Sequence, residues 1–348
     1  MNQNASVVVH TDEDRTCPHR EIGAAEISRT LWTWARLGGG AGILAVLVWR
    51  MGAGPFLDAL GSISVAWLAV AVGITALTTL CCAWRWQLVA QGLGFDIPLR
   101  TAVPAYYRSQ FLNATLPGGV LGDVHRAVRQ GRDVGHLGRN LRAVAWERSL
   151  GQAVQIALTV LVLALLPSSV RSPVPAVAAS LAAAGLAAAL VMRVLSRVGP
   201  RAAARTVRAV SADLRDVLLV HRTWPAIALA SVLATAGHTS VFVIAAWTSG
   251  ADASADRLLP VALVVLLASA VPTSIAGWGP REGAAAWAFG ATGLGAAQGV
   301  TASATYGVMA LVATLPGVVV LLAARRRPRE EPEFPGPHPG NPTDIAHG

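Results

Sequence analysis

Lysine is absent from this chain of 348 residues, and charged residues of every kind make up only 14% of it. Soluble domains carry about 25% charged residues, so the composition excludes an ordinary soluble protein. Without lysine there is no nucleotide-binding loop G-x-x-x-x-G-K-[ST], which excludes an ATP-driven pump unless a partner chain supplies the ATPase. The motifs H-E-x-x-H and G-x-S-x-G are also missing, so the sequence offers no zincin or serine-hydrolase signature.

Cysteine is scarce as well. Cys17 lies in a polar terminal stretch, and Cys81 and Cys82 are adjacent in an apolar one. No C-x-x-C pair occurs, so neither a disulfide framework nor a zinc site is predicted, and no cofactor is expected. His125 and His238 stand alone in membrane regions and are interpreted as packing residues.

Long apolar segments are what the chain does have: it is 53% hydrophobic, with a mean hydropathy of +0.51. The pattern predicts an all-α polytopic membrane protein with about six to eight transmembrane helices. The predicted spans are about 31–49, 62–83, 147–166, 174–193, 225–248 and 302–323. Proline, glycine and charge break two further apolar regions, 101–122 and 258–298. A membrane domain over 31–323 would lie between a disordered segment, 1–30, and a disordered Pro-rich tail, 324–348.

The arginines predict the orientation of these spans. Of the 28 arginines, 24 lie in segments 1–36, 84–148, 193–222 and the C-terminal tail. The positive-inside rule then places both termini in the cytoplasm of a bacterial-type inner membrane. Six full spans satisfy this if each broken region re-enters on its own side. The halves 62–166 and 225–323 would then form an inverted repeat. Region 258–298 is also long enough for two full crossings, and that alternative stays open.

The two broken regions contain similar motifs. Leu116–Arg126 and Val271–Arg281 share the frame P-x4-G-x3-R, although proline and glycine are common here and chance identity is the alternative. Broken apolar segments at matching positions of two halves are a pointer to a transporter binding site. The candidate head-group site comprises Asn113, Pro117, Gly118, Gly119, Gly122, Asp123, Arg126, Glu147, Arg148, Pro272, Gly277, Gly279, Arg281 and Glu282.

Each residue type in this set suits the recognition of a lipid head group. Glycines let the backbone approach a ligand, and helix ends at the breaks favour an anion. Arg126 and Arg281 present fork-shaped donors suited to phosphate. Asp123 and Glu282 would balance them or accept a cationic head group, and Glu147 would pair with arginine or bind a proton. Alternatively, Asp123–Arg126 and Arg281–Glu282 are structural ion pairs that close the helix breaks.

The order of these segments resembles the lysylphosphatidylglycerol synthase transmembrane-region family, a flippase-like membrane domain. The first matching block runs from Phe111 to Asp123 and includes Arg126. A second, shorter block and flanking pairs complete the match: Arg85-Trp86, Glu147-Arg148, Pro272, Gly277, Gly279, Arg281-Glu282 and Pro316-Gly317. The resemblance covers about residues 35–323, with Trp278 and Pro280 as departures inside the second block.

The resemblance implies a lipid translocase-like protein with an intramembrane polar cavity. Its ligand would be the head group of an anionic or aminoacylated phospholipid or of a polyprenyl-phosphate lipid. No soluble synthase domain is expected after residue 323, so the implied role is transport and not aminoacyl transfer. Membrane lipids are the expected partners, and a separate cytoplasmic lipid-modifying synthase or an oligomer is compatible with this picture.

Two other function classes compete with this interpretation. A membrane enzyme acting on a lipid-linked substrate could use Glu147 or Asp123 as a base, but no metal or nucleophile accompanies them. An accessory subunit could dock a synthase through the arginines spaced along 193–215, which otherwise suit the anionic leaflet surface. No aromatic platform or RNA motif accompanies those arginines, so no nucleic-acid partner is predicted.

Overall fold

The structure, a computed structural model, describes residue 61 and residues 63–116, 119–133, 136–166, 223–269 and 280–326. Among these residues there are helices and short connections and no strand. The predicted all-helical class is therefore confirmed. Some predicted features lie outside the described residues: segment 1–30, spans 31–49 and 174–193, the stretch 193–215, and the tail beyond 326.

The described helices fall into two consecutive sets. The first set is α1 (Val65–Gly92), α2 (Leu99–Thr115), α3 (Leu121–Asp133) and α4 (Leu137–Leu165). The second set is α5 (Trp224–Thr248), α6 (Ala255–Ala268), α7 (Pro280–Ala291), α8 (Ala296–Thr314) and α9 (Pro316–Arg326). Leu315 alone separates α8 from α9, because Pro316 has no backbone N–H to continue the helical ladder.

Four helical stretches are long and apolar enough to cross a membrane: α1, α4, α5 and the continuous run Ala296–Ala323. They match the predicted spans 62–83, 147–166, 225–248 and 302–323, and they confirm a polytopic membrane protein. Three boundaries differ by six residues or more: α1 continues to Gly92, past the predicted end at 83, the last run begins at Ala296, before the predicted start at 302, and α4 begins at Leu137, ten residues before the predicted start at 147. Arg139 and Arg142 in its first turns lower the hydropathy there and hide the start of the helix.

Each broken region forms a pair of short helices that run antiparallel. Arg126 of α3 lies over the ring of Tyr106, earlier in α2, while Gly122 bonds to Asn113, so α2 and α3 run antiparallel. In the second set, Arg257 at the start of α6 donates to the carbonyl oxygen of Thr292, just past α7, at 3.3 Å. With 14 and 12 residues, α6 and α7 extend only ~21 and ~18 Å. Because the hydrocarbon core is about 30 Å thick, these lengths favour the hairpin over two crossings for 258–298.

Helices α1 and α5 form the central contact of the bundle and run antiparallel. Arg85 bonds to Ser231 at 3.0 Å, whereas Thr78, earlier in α1, contacts Gly237, later in α5. A Cβ at Gly237 would lie 2.3 Å from Thr78 Cγ2, so only glycine lets the two backbones approach this closely. Small residues commonly serve this purpose where membrane helices cross.

The neighbours of each helix correspond between the two sets. In the first set α1 packs on α2, α2 on α3 and α3 on α4; in the second, α5 packs on α6, α6 on α7 and α7 on α8. Contacts between the sets correspond too, since α1 packs on α8 and α5 on α4. Together with the antiparallel α1–α5 pair, this arrangement favours the predicted inverted repeat. Two apolar clusters join the sets: the cluster around Trp86 includes Ile227, Ala230 and Ala234 of α5, and the cluster around Phe242 includes Ala71 of α1 and Leu163 of α4.

Candidate functional site

Five charged side chains from α1, α3 and α4 meet inside the bundle and form what we call the buried charge cluster. Its members are Arg85, Asp123, Arg126, Glu147 and Arg148. Arg126 and Glu147 are completely buried, and Arg85 and Asp123 nearly so, whereas the side chain of Arg148 is 48% exposed. Charges within a membrane domain are expensive unless they are paired, and they commonly mark a functional site.

Glu147 is the centre of this cluster. Its Oε1 accepts hydrogen bonds from Arg85 Nε at 3.0 Å and from the Tyr106 hydroxyl at 3.1 Å. Its Oε2 accepts from Arg126 Nη2 at 3.1 Å. Glu147 lies ten residues into α4 and not at its start, so it faces the interior instead of the membrane surface. Two guanidinium groups and a phenol satisfy both carboxylate oxygens.

The guanidinium group of Arg126 lies over two aromatic rings. Its guanidinium carbon lies 4.3 Å from the ring centroid of Trp86 and 4.3 Å from that of Tyr106. One nitrogen, Nη2, bridges Asp123 and Glu147 at 3.1 Å each. The planar guanidinium can stack and bridge at the same time, which a lysine ammonium cannot do.

Asp123 ties the α2–α3 hairpin to the cluster. In addition to Arg126, it accepts hydrogen bonds from Ser109 at 2.8 Å and Asn113 at 3.0 Å, and it forms an ion pair with Arg148. Asn113 also accepts from the backbone N–H of Gly122 at 2.8 Å. A Cβ on Gly122 would lie 2.0 Å from the carbonyl oxygen of Ser109, so this glycine permits the close contact of the two arms. Before it, Gly119 takes a φ of 61°, a turn conformation that favours glycine.

The cluster has an excess of positive charge. Three guanidinium groups face two carboxylates, so three positive minus two negative charges leave a net charge of +1. Nε and Nη1 of Arg126 have no hydrogen-bond acceptor within the described part of the chain. An anion placed beside this cluster would neutralise it.

In the second set, the Arg281–Glu282 pair occupies the first turn of α7. Arg281 donates from Nη2 to Glu282 Oε1 at 2.8 Å and from Nε to the Ser303 hydroxyl at 3.0 Å. Its guanidinium carbon lies 5.2 Å from the ring centroid of Tyr306. This repeats the pairing of arginine with carboxylate and aromatic ring seen in the first set.

A cavity of about 240 Å³ lies between the two sets of helices, and we call it the central cavity. The first set contributes one part of its wall: Cys82, Arg85, Tyr106, Arg148, Gly151, Gln152 and Gln155. The second set contributes the rest: Ala234, Thr235, His238, Leu266, Ser269 and Tyr306. The wall residues of α4, α5 and α8 lie near the middle of those helices, so the cavity is halfway along three candidate membrane spans.

A second, larger space runs between α3 and α4, and we call it the α3–α4 groove. Its volume is about 680 Å³. Most of its lining is aliphatic: Val120, Val124, Ala127, Leu141, Val144, Ala145, Ala153 and Ile156. Asp123, Arg148, Ser149 and Gln152 supply its polar part. Arg148 and Gln152 line both spaces, so the groove and the central cavity meet at these two side chains.

Of the predicted site residues, the structure brings Asn113, Gly122, Asp123, Arg126, Glu147 and Arg148 together, with Gly119 in the adjoining turn. Arg281 and Glu282 form the separate pair on α7, connected to the cavity wall through Tyr306. Pro117, Gly118, Pro272, Gly277 and Gly279 lie outside the described residues. Within the described ranges, no group of three or more His, Cys, Asp and Glu residues could hold a metal ion.

Sequence analysis left several contributors out of the site, among them Arg85, Trp86, Tyr106, Ser109 and Ser231. A signal existed for Arg85, because an arginine within the long apolar stretch of α1 marks a candidate functional residue. Tyr106, Ser109 and Ser231 carried no such signal, since neutral polar residues are ordinary in membrane helices.

These helices, with paired charges in their interior, define an integral membrane protein of the polytopic helical class. The chain belongs to the family described as "Lysylphosphatidylglycerol synthase TM region", whose model matches residues 33–317. It is therefore a membrane protein linked to lipid metabolism or transport. No curated protein and no solved structure matches this chain.

Proposed function

We propose that this protein is a lipid translocase that binds the head group of a phospholipid or polyprenyl-phosphate lipid in the central cavity. The observation that carries the proposal is a polar cavity, halfway along three candidate membrane spans, whose wall includes two arginines of a cluster with net charge +1. A cavity of this kind offers a polar head group what the hydrocarbon core cannot, which is charge compensation and hydrogen bonds. The family supports a lipid as the ligand, and the polar cavity supports the head group as the part of the lipid that is bound.

Two arginines in this proposal contact the lipid phosphate. Arg85 and Arg148 line the cavity, and their guanidinium N–H groups are charged donors suited to a phosphodiester. Arg126 is too deeply buried for contact, so it positions Asp123 and Glu147, which in turn orient the two lining arginines. The sequence-based role of Arg126 as a direct phosphate ligand is accordingly reassigned to Arg148.

The α3–α4 groove supplies the acyl-chain side of the same site. Its aliphatic lining suits a lipid tail. Two of its polar lining residues, Arg148 and Gln152, also line the central cavity. A lipid lying along α3 and α4 could therefore place its phosphate beside Arg148 without withdrawing its tails from the bilayer. Only the head group would then need to enter the protein.

The proposed orientation places the arginine-rich end of the bundle in the cytoplasm, as in an inner-membrane protein with cytoplasmic termini. Arg100, Arg129, Arg132 and Arg139 are exposed near that end. The opposite end, around the α5–α6 and α7–α8 connections, has Arg257 as its arginine among the described residues. In this orientation the two hairpins enter from opposite sides, as an inverted repeat requires.

Replacing Arg148 with glutamine tests the proposal. Liposomes containing the protein and a chain-labelled fluorescent phosphatidylglycerol should show lipid exchange between leaflets, measured by bleaching the label in the outer leaflet. Arg148→Gln should slow this exchange by about ten- to a hundredfold, because a hydrogen bond to a charged group contributes about 1.5–3 kcal/mol. Asp123 keeps Arg126 as its partner in this variant, so the fold should persist.

The matched control is Arg139→Gln, the same change on the same helix at an exposed position away from both spaces. It should exchange lipid at the unmodified rate. Exchange by Arg148→Gln at that same rate would contradict the head-group role of Arg148. Exchange by the unmodified protein no faster than in empty liposomes, for both phosphatidylglycerol and a polyprenyl phosphate, would contradict translocation itself.

A further inference from the structure

The guanidinium group of Arg85 is held in the cavity wall by neighbours on three helices. Its Nε donates to Glu147 Oε1 of α4 at 3.0 Å, and its Nη2 donates to the same oxygen. Its Nη1 donates to the Ser231 hydroxyl of α5 at 3.0 Å, and Cys82 Sγ, on its own helix α1, accepts from Nη2 at 3.8 Å. Because these bonds point in different directions, they fix both the position and the plane of the group.

The flat face of this guanidinium lies against the backbone of Gly151, one turn beyond Glu147 on α4. A Cβ at position 151 would lie 2.7 Å from Arg85 Cζ, 2.7 Å from Nη1 and 2.8 Å from Nη2. A point almost equidistant from these three atoms is above the plane of the group and not at its edge. Nonbonded carbon atoms prefer separations of about 3.5–4.0 Å, so no side chain fits at position 151 while Arg85 keeps its bonds.

Gly151 belongs to the part of α4 that faces the central cavity. Arg148, Gly151, Gln152 and Gln155 all line the cavity, and their spacing of three and four residues places them on one face of the helix. Among these four, Gly151 alone has no side chain. The guanidinium of Arg85, which comes from α1, occupies the space that this glycine leaves between its longer neighbours.

We propose that Gly151 is a positioning residue of the head-group site. By lacking a Cβ, it lets the guanidinium of Arg85 lie in the cavity wall while bonded to Glu147 and Ser231. This inference rests on the proposed function, in which Arg85 contacts the lipid phosphate, and Gly151 acts on the lipid only through that arginine. A methyl group at position 151 would displace the guanidinium by about 0.5 Å or more and turn its N–H groups away from their present directions.

Gly151→Ala tests this role. Native mass spectrometry of the solubilised protein, titrated separately with phosphatidylglycerol and with a polyprenyl phosphate, reports lipid retention without requiring transport. Gly151→Ala should retain the lipid about tenfold more weakly, because the charged hydrogen bond from Arg85 to the phosphate is lost. The matched control is Gly138→Ala, the same change near the start of α4, where Arg142 Nη1 would lie 3.8 Å from the new Cβ. It should retain lipid as the unmodified protein does.

A double variant separates positioning of Arg85 from a general effect on helix packing. Arg85→Gln shortens the side chain and removes the group that the methyl would strike. Adding Gly151→Ala in this background should therefore weaken retention no further, a departure from additivity expected of residues in contact. The midpoint of thermal unfolding should follow the same pattern. Gly151→Ala should lower it in the otherwise unmodified chain and leave it unchanged or higher in the Arg85→Gln background, because alanine favours a helix over glycine.

The outcomes distinguish this role from the proposed function. Equal weakening by Gly151→Ala with and without Arg85 would overturn the positioning role, since the methyl would then act on the helix and not on the guanidinium. Retention by Gly151→Ala equal to that by Gly138→Ala would overturn it as well. Weaker retention by Gly151→Ala that depends on Arg85 supports the role even if no lipid moves between leaflets, an outcome that would contradict only translocation. Retention of neither lipid by the unmodified protein would overturn the head-group site itself.

Discussion

Replacing Glu147 with glutamine should lower the free energy of unfolding by about 3–5 kcal/mol, the cost of breaking a buried ion pair by removing one partner. Glu147 has no exposed surface and bonds to both Arg85 and Arg126. The amide keeps the shape of the side chain but removes the charge. Two guanidinium groups then remain in the interior, and the net charge of the cluster rises from +1 to +2.

The measurement is the midpoint of thermal unfolding in detergent, with the loss of folded protein followed by size-exclusion chromatography. Asp256→Asn is the matched control, because it makes the same chemical change on an exposed first-turn residue of α6, and it should lower the midpoint far less than Glu147→Gln does.

The double variant Arg85→Gln with Glu147→Gln returns the net charge of the cluster to +1, so it should be more stable than Glu147→Gln alone. Such a departure from additivity is expected for residues in direct contact. Equal midpoints for Glu147→Gln and Asp256→Asn would show that the buried charge cluster does not stabilise the fold.

Arg126→Lys should destabilise the protein nearly as much as Glu147→Gln, although it keeps the positive charge. The arginine has two aromatic faces on its guanidinium plane and two carboxylates on one nitrogen. A lysine ammonium cannot fill the space between Trp86 and Tyr106 and reach both carboxylates. Cation–π contacts away from water contribute about 2 kcal/mol or more, and charged hydrogen bonds about 1.5–3 kcal/mol. We therefore expect a loss of about 2–4 kcal/mol in the free energy of unfolding.

The same thermal measurement tests this variant, and lipid exchange reports its effect on the site. Arg129→Lys, one turn further along α3 and exposed, is the matched control and should behave as the unmodified protein. An unfolding midpoint for Arg126→Lys within error of that control would mean that charge alone, and not the planar shape, is required at this position.

Hydropathy predicted the membrane class and the four spans that the structure describes, because a long apolar helix can be recognised from the local sequence alone. The start of α4 was not predictable in this way. Its first ten residues include Arg139 and Arg142, and only packing against α3 shows that they continue the helix.

The partners of the charged residues depended on the fold. Asp123 and Arg126 are three residues apart on one helix, so their pairing could be predicted from sequence. The bonds from Arg85 to Glu147 and Ser231 join α1, α4 and α5 over separations of 62 and 146 residues, and no local pattern encodes such contacts. The Asp123–Arg126 ion pair forms as expected from this spacing, and Arg126 is not among the residues that line the central cavity.

In the proposed transport cycle, the surplus charge of the cluster would make the return of the empty carrier sensitive to the electrical potential across the membrane. Moving one elementary charge through a potential of 100 mV changes the energy by about 2.3 kcal/mol. An occupied cavity with a single phosphodiester is neutral and would be indifferent to the same field. The voltage would then act on the return of the vacant carrier and not on the passage of the lipid, and exchange rates measured at imposed potentials would show which of the two steps limits the cycle.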